Sequence, residues 1–392
     1  MLFALFLLAH ISSQPLLAQA SARVTCTQSA LLSAIAQANG AGGGTITFNC
    51  RATTIPMASG LGTIESNVVI DGEDRNIVLE YTTDFTGCSA GDNGINGPAI
   101  GNLREQHSTI RNLTFKNFLE SLQAIGPDNT IENNVFLGHL CSDDAISTTN
   151  PAALNTIVRN NRMENYRDKA FQMSQGGGTI EGNLFINTIQ PIRGPYDNST
   201  GGIFVIRGNV MKTTGNRGDC SGVRIDGTYR LVFENNTVQC LRGVRIGGGS
   251  QAIVRNNLVE GNLRLGILIG DNAVASLSDN TVINNGLSPG SEPSGGVIVW
   301  ENGRADLGGG SLVVNGQTVS SEGRNRLTGN GTADVRNMRS GYTIKAEDNC
   351  WDHPQAATIL AEDILGTVDV DPPSACGAPR PPTAPFSLRI VF

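Results

Sequence analysis

The chain has 392 residues, including 48 Gly, only 5% aromatic residues and a formal net charge of -7. That acidic balance argues against a nucleic-acid binder, which normally carries a basic footprint. Beyond residue 20 no apolar stretch approaches the ~18 unbroken residues a membrane span needs, so no membrane span is expected.

Taken from the start, Met1–Ala20 runs through an apolar stretch at Leu2–Ala9 to Ala18-Gln19-Ala20, a small-x-small cleavage signal of the secretory type. It lacks the basic residue that usually precedes the apolar stretch, yet its position favours export, and a secreted, extracellular protein is expected. Gln28–Asn39 places apolar residues at helical spacing and reads as an N-terminal capping helix. Next comes a repeated phrase: an apolar or β-branched residue, a polar one, Asn or Gly, Asn, then an apolar run. It reads IENNVF at Ile131, VRNNRM at Val158, IEGNLF at Ile180, IRGNVM at Ile206, FENNTV at Phe233, VRNNLV at Val254 and LSDNTV at Leu277. The second Asn steps by 27, 22, 26, 27, 21 and 23 residues from Asn134 to Asn280.

Short alternating runs such as GVRI and GILI, separated by Gly and Asn, are strands with tight corners. Asn and Gly tolerate left-handed backbone angles and suit the bends. A repeat of this length, whose units cannot bury their apolar face alone, implies stacking. The expected fold is therefore all-β, a single right-handed parallel β-helix over residues 21–371, with the capping helix at one end. At the other end Pro354–Leu365 reads as a short capping helix, and residues 372–392 as a Pro-rich tail.

The chain has eight Cys and no C-x-x-C pair, which in an exported protein favours disulfides over metal ligation. Sequence does not fix their connectivity; short loops and neighbouring rungs favour Cys26 with Cys50, Cys88 with Cys141, Cys220 with Cys240 and Cys350 with Cys376.

Aligning the rungs on the Asn phrase predicts a charged row on one outward face. Asp144 neighbours Lys169, Arg193 comes one rung further along, and Arg224 and Arg245 continue the row. Such a row is usually only a solvated face. Here, however, charge types alternate from rung to rung. Between Arg159 and Arg264 there are 14 Lys or Arg against 8 Asp or Glu, against the overall charge of the chain. A polyanionic ligand fits that asymmetry.

At these residues a family resemblance enters. Cys141–Ala145 (CSDDA), Asp168–Gln172 (DKAFQ), the Gly-rich Gly176–Ile180 and Arg193 resemble, in order and spacing, the family-3 polysaccharide lyases, extracellular calcium-dependent pectate lyases. The resemblance covers roughly Gln123–Arg193. It implies that Asp143 and Asp144 bind calcium, that Lys169 neutralises the substrate carboxylate, and that Arg193 is the base. It implies activity at alkaline pH on an acidic polysaccharide, polygalacturonate; Arg224 and Arg245, beyond the resemblance, are expected as substrate contacts from their place in the charged row, and a monomer is expected. Asp143 stands where the family usually has Glu, Gln123 where it has a further calcium Asp, and Gln190 or Pro191 where it has a Lys. A neutral amide can still ligate calcium, so Gln123 completes the expected metal set. Separately, Gly42–Cys50 (GGGTITFNC) and Val68–Gly72 (VVIDG) resemble bacterial surface β-helix proteins, many of them without known activity.

Two other readings stay open: a non-catalytic surface or polysaccharide-binding β-helix, and a glycoside hydrolase, since paired carboxylates also serve inverting glycosidases. No Gly-His-Gly phrase accompanies the pair, and the isolated His139 is read as structural. Ser147 and Ser221 have no legible His-Asp partnership, and the Gly-rich stretches do not open helices as a phosphate-cradling loop does.

Overall fold

The computed structural model describes residues 20–65, 67–82, 101–139, 141–148, 150–194, 200–215, 220–288, 290, 293–374 and 376. The signal-like segment through residue 19, Cys88 and most of the Pro-rich tail lie outside these. The chain winds into a right-handed parallel β-solenoid of about 13 turns. Among the described residues its strands form three long parallel sheets of 14, 12 and 12 strands. The first runs from Ala20–Val24 to Val368–Asp369, and the second from Gly62–Ile64 to Ile364–Leu365. The third runs from Thr54–Met57 to Cys350–Trp351, and one antiparallel hairpin, Leu312–Val314 with Gln317–Val319, projects from the coil. No helix among the described residues is long and apolar enough to cross a membrane.

Like residues stack in register through the core. Phe115 pairs with Phe136, their rings stacked 5.0 Å apart, and Met163 and Phe185 continue the column. Each rung contributes little apolar area alone; stacking buries it on both sides.

The two halves of the repeated Asn phrase do different work. The first member takes the left-handed backbone: φ is +57° at Asn133, +56° at Asn160, +62° at Gly182 and +57° at Asn235. The second is not a corner residue. Asn134, Asn161, Asn183, Asn209, Asn236, Asn257 and Asn280 are buried, 2% exposed at most. From Asn161 onward each offers its Oδ1 to the backbone N–H and Nδ2 of the Asn one rung earlier, while Asn134, at the start of the ladder, accepts from Leu113 N; each donates its own Nδ2 to a carbonyl. Asn183 N and Nδ2 thus donate to Asn209 Oδ1 at 2.9 and 3.0 Å, and Asn209 Nδ2 donates to Ile180 O at 2.9 Å. Asn325 and Asn349 extend the ladder past the last repeat of the phrase.

The ends are capped. Helix Gln28–Gly40 begins at Thr27, whose side chain accepts from Ala30 N, and buries Leu31, Ala34, Ile35 and Ala38 on one face. At the far end the expected helix over Pro354–Leu365 shrinks to one turn, Ala356–Thr358, and a π-helical turn, Ile359–Asp363. It stops there because Ile364 pairs with Val335 and joins the second sheet. Cys26–Cys50, Cys220–Cys240 and Cys350–Cys376 are bonded as expected. Cys141 is also half of a disulfide, its expected partner being outside the described residues.

Asn209→Ala should cost about 3 kcal/mol, because it strands two donors on Asn183 and one carbonyl in the interior. Asn235→Gly, at a left-handed corner, should cost no more than about 0.5 kcal/mol. Urea unfolding of the pair checks this; similar losses would show that the ladder is not what orders the rungs.

Candidate functional site

The second sheet carries the residues singled out by sequence, and backbone pairing divides them into two columns. Asp144 pairs with Lys169, as expected, but the next partner of Lys169 is Gln190. Arg193 sits three residues further along its strand, in a column that runs Gln123, Ser147, Gln172, Arg193, Arg224, Arg245, Leu268. The single row predicted from Asp144 to Arg245 is therefore corrected to two. Aligning on the Asn phrase fails here because the chain between that phrase and this strand varies in length. In the Arg193 column, Gln172 follows Asn161 by 11 residues, Arg193 follows Asn183 by 10, Arg224 follows Asn209 by 15 and Arg245 follows Asn236 by 9.

The Lys169 column is a carboxylate cluster around one amine. Lys169 Nζ lies 2.8 Å from Asp143 Oδ1, 2.5 Å from Asp168 Oδ2 and 3.4 Å from Asp144 Oδ1. A fourth acid, Glu120, accepts from Ser147 Oγ at 2.5 Å and lies within electrostatic reach of Asp143 and Lys169. Burial pushes the Asp144 carboxyl well above the ordinary range; Lys169 opposes the rise, and Asp143, Glu120 and Asp168 add to it. Burial likewise raises Asp168 and Glu120. For the Lys169 ammonium burial acts downward, but the attraction of Asp144, Asp143 and Asp168 outweighs it and holds the group above the usual lysine range. The amine is firmly protonated. Gln123, expected among the metal ligands, stands opposite Ser147, three residues along from Asp144. His139 accepts from Cys141 N at 2.9 Å through Nδ1 and shapes the turn before Asp143, a structural part.

The second column is built around Asp226. Its carboxylate is met by Arg193 Nη2 at 3.2 Å, Arg224 Nε at 2.7 Å and Arg245 Nε at 3.2 Å, and Arg245 Nη2 also donates to Asp271 Oδ2 at 2.6 Å. Arg193 is 1% exposed, whereas the Arg224 side chain is 39% exposed. Above them opens a cleft of about 480 Å³ lined by Gln190, Arg224, Arg242, Arg245, Leu268 and Trp300, among others. Leu265, Leu268 and Ile298 form a small apolar cluster outside the main core, with Trp300 packed on it. Gly222 contributes to the cleft wall with φ +89°, and a Cβ there would fall 2.1 Å from Arg242 O.

The structure thus brings together Asp143, Asp144 and Lys169 in one cluster, and Arg193, Arg224 and Arg245 in another. Sequence reasoning missed Glu120, Asp226 and Trp300, and gave Asp168 no role of its own. Asp168 adjoins Lys169 in the DKAFQ phrase and was within reach of the reading. Glu120, Asp226 and Trp300 sit outside any repeated phrase, so only the register reveals them.

A family profile described as a right-handed beta helix region matches residues 98–239 and 174–319, together more than half of the chain. A search of curated protein sequences finds no match. Among solved structures, the catalytic unit of the thermostable GH87 α-1,3-glucanase from Streptomyces thermodiastaticus strain HF3-3 aligns at 15% identity with a TM-score of 0.52, over 89% of this chain. The chain spans 65% of the length of that unit. The alginate lyase from Paenibacillus sp. str. FPU-7 aligns at 12% identity and a TM-score of 0.43, over 89% of this chain and 99% of that one. The PL6 family polysaccharide lyase from Pseudopedobacter saltans aligns at 12% and 0.38, over 95% and 97%. At such identities the likeness to the glucanase unit concerns the fold alone. With the repeat, the three parallel sheets and the profile in agreement, the chain belongs to the right-handed β-helix family.

Proposed function

We propose that the protein is a secreted, monomeric polysaccharide lyase that cleaves polygalacturonate by calcium-assisted β-elimination. Gln190 carries the reading. It pairs with Lys169 and also lines the cleft of Arg224 and Arg245, so the carboxylate–amine cluster and the guanidinium cleft adjoin on one sheet. The disulfides fit an oxidising, extracellular setting.

Four carboxyls share one ammonium, and burial raises three of them, so the cluster is short of positive charge. Its donors are hard oxygens, and the buried Asp144 Oδ1 has no hydrogen bond, only the 3.4 Å approach of Lys169. Calcium fits that set, with Asp143, Asp144 and Asp168 as ligands in place of the displaced Gln123. When bound, it would supply charge to stabilise the negative charge developing on the uronate carboxylate.

The proton on carbon 5 is acidic only because it lies beside that carboxylate, so neutralising the carboxylate is the main task. Lys169, held protonated by its neighbours, supports this from the cluster side. Arg224 and Arg245 orient uronate groups along the cleft, and Trp300 offers an apolar face to a sugar ring. Arg193, sealed against Asp226, positions that carboxylate between the other two arginines. Proton abstraction on this reading falls to Arg224, the exposed guanidine next to Arg193 in the column. A guanidinium normally stays protonated, so turnover is expected only at alkaline pH.

A second reading is favoured by the engagement of Lys169 with three carboxylates and the burial of Arg193: a polysaccharide-binding β-helix that uses the same cleft without turnover. Incubation with polygalacturonate, alginate and a neutral glucan, with and without calcium, separates the readings. A lyase yields ultraviolet-absorbing unsaturated uronides in calcium only, a hydrolase yields reducing ends without that absorbance, and a binder retains the sugar intact.

Lys169→Ala should lower uronide release at least about 100-fold with the circular dichroism unchanged; full activity in that variant would take Lys169 out of the mechanism. Arg245→Ala should raise KM about tenfold, one lost charge-assisted contact, while Arg224→Ala should lower kcat about 100-fold. A larger kcat loss at Arg193→Lys than at Arg224→Ala would return the base to Arg193.

The folded-state pKa of Asp144 is raised. Its contribution to stability is therefore present below the ordinary carboxylate range and lost as pH rises through the raised value. In excess chelator, Asp144→Asn should be more stable than the parent near neutral pH and equal to it near about pH 3. Denaturant unfolding across that range measures the difference; a flat one would mean that Lys169 already compensates Asp144 fully.

A further inference from the structure

At the C-terminal end, far along the coil from Lys169, a second ladder of buried amides ends on an acid. Asn262 N and Nδ2 donate to Asn285 Oδ1 at 3.1 and 2.8 Å, and Asn285 N and Nδ2 donate to Asn330 Oδ1 at 3.0 Å each. Asn330 N and Nδ2 then donate to Asp334 Oδ1 at 3.1 and 2.7 Å. Oδ1 of Asp334 therefore does what an Asn would do in its place. Its other oxygen, Oδ2, is buried without a hydrogen-bond partner, on a side chain whose residue is only 2% exposed. One carboxylate oxygen from each of Asp334, Asp352 and Asp363 lies within 4.8 Å of the others.

We propose that Asp334, Asp352 and Asp363 bind a divalent, oxygen-seeking cation of the calcium class, which ties the C-terminal cap to the last rungs. The three ligands come from three successive pieces of chain. Asp334 precedes strand Val335–Asn337, Asp352 follows Cys350–Trp351, and Asp363 closes the turn Ile359–Asp363. Each is already oriented by a second contact. Asp334 Oδ1 accepts from Asn330 Nδ2 at 2.7 Å, Asp352 Oδ2 accepts from Gly329 N at 2.6 Å, and His353 Nδ1 stands 3.0 Å from Asp363 Oδ2. Such outer partners are what hold metal ligands in place. Ionised and close together, three carboxylates repel one another, and two of them are buried, so the arrangement favours an added cation. Burial pushes the Asp334 carboxyl up to about 7, with Asp352 and Asp363 adding to the rise, while the His353 imidazole lies against Asp363. The inference does not depend on the proposed lyase activity, whose residues sit several rungs away.

The test uses the full chain and calcium as the probe. Asp334→Asn keeps an oxygen for Asn330 and so preserves the ladder while removing the charge. At pH 7.5, equilibrium dialysis should show that variant binding one equivalent of calcium fewer than its parent. The same one-equivalent loss should appear in an Asp143→Asn/Asp144→Asn background, which separates this site from the Lys169 cluster. Calcium added over chelator should raise the unfolding temperature of the parent by roughly 3–5 °C and that of Asp334→Asn by clearly less. Asp352→Asn, exposed and outside the ladder, should weaken calcium binding at this site about tenfold with the fold intact, which covers the case of Asp334→Asn failing to fold. Unchanged calcium stoichiometry and an unchanged calcium-dependent rise in Asp334→Asn, or in Asp352→Asn should the first not fold, would overturn the proposal and leave a shared proton to settle the three acids.

Discussion

The constraint on which the molecule rests is the fixed spacing between rungs, held along one interior column by a row of buried asparagines. An amide is the group suited to that place. It accepts from one neighbour through two donors and still donates to a carbonyl, so a polar interior column is left satisfied. A hydrophobic residue there would strand backbone N–H groups at every turn. A charged one would need a partner in each rung. Because each Asn binds the next, the column works as a register key: a rung shifted by one residue would break its bonds to both neighbours.

From that key follows the composition of the site. In-register stacking turns each strand position into a column running the length of the coil, so a side chain choice in one rung is felt by the next. The carboxylates near Lys169 and the guanidiniums around Asp226 are two such columns on one sheet, three residues apart along the strand. Single acids or bases in these places would be ordinary surface charges. Stacked a rung apart, they become a cluster in which Asp144 is lifted and Lys169 is held protonated.

The coil was legible in the sequence because its signal is redundant: seven copies of the Asn phrase, Gly and Asn at the corners, and apolar alternation all say the same thing. Helix Gln28–Gly40 was legible from its apolar spacing, and three disulfides from their separation. The pairing of Asp144 with Lys169 was also readable, since the chain from the Asn phrase to those residues differs by only two residues between the rungs. The place of Arg193 was not, because backbone pairing rather than charge sets the register: Gln190 takes the position opposite Lys169, and the guanidine falls three residues past it. Asp226 and Trp300 carry no repeated signal. Their importance arises only when Arg193, Arg224 and Arg245 converge on one carboxylate and an apolar patch forms beside them. The second role of Asn, as an interior ladder and not a corner, was hidden for a similar reason: sequence shows which residue recurs, but not which way its side chain points.

The two columns have opposite sign, and this bears on how one ligand could use both. At the Lys169 end four carboxyls outnumber one ammonium. At the Asp226 end three guanidiniums share one buried aspartate, with Asp271 at the edge. A polymer with a carboxylate on every sugar would be drawn to the arginines and repelled by the acids, so on the proposed reading it could lie across both only with an added cation at the acidic end. A neutral polymer would gain only ordinary hydrogen bonds from the arginines, without the charge-assisted part. On that reading, dependence on a divalent cation and preference for a polyuronate would be one property of the sheet and not two. If the protein bound a polyuronate equally well in chelator, the ligand would have to lie along the arginine column alone, leaving the acids to serve only the fold around Lys169.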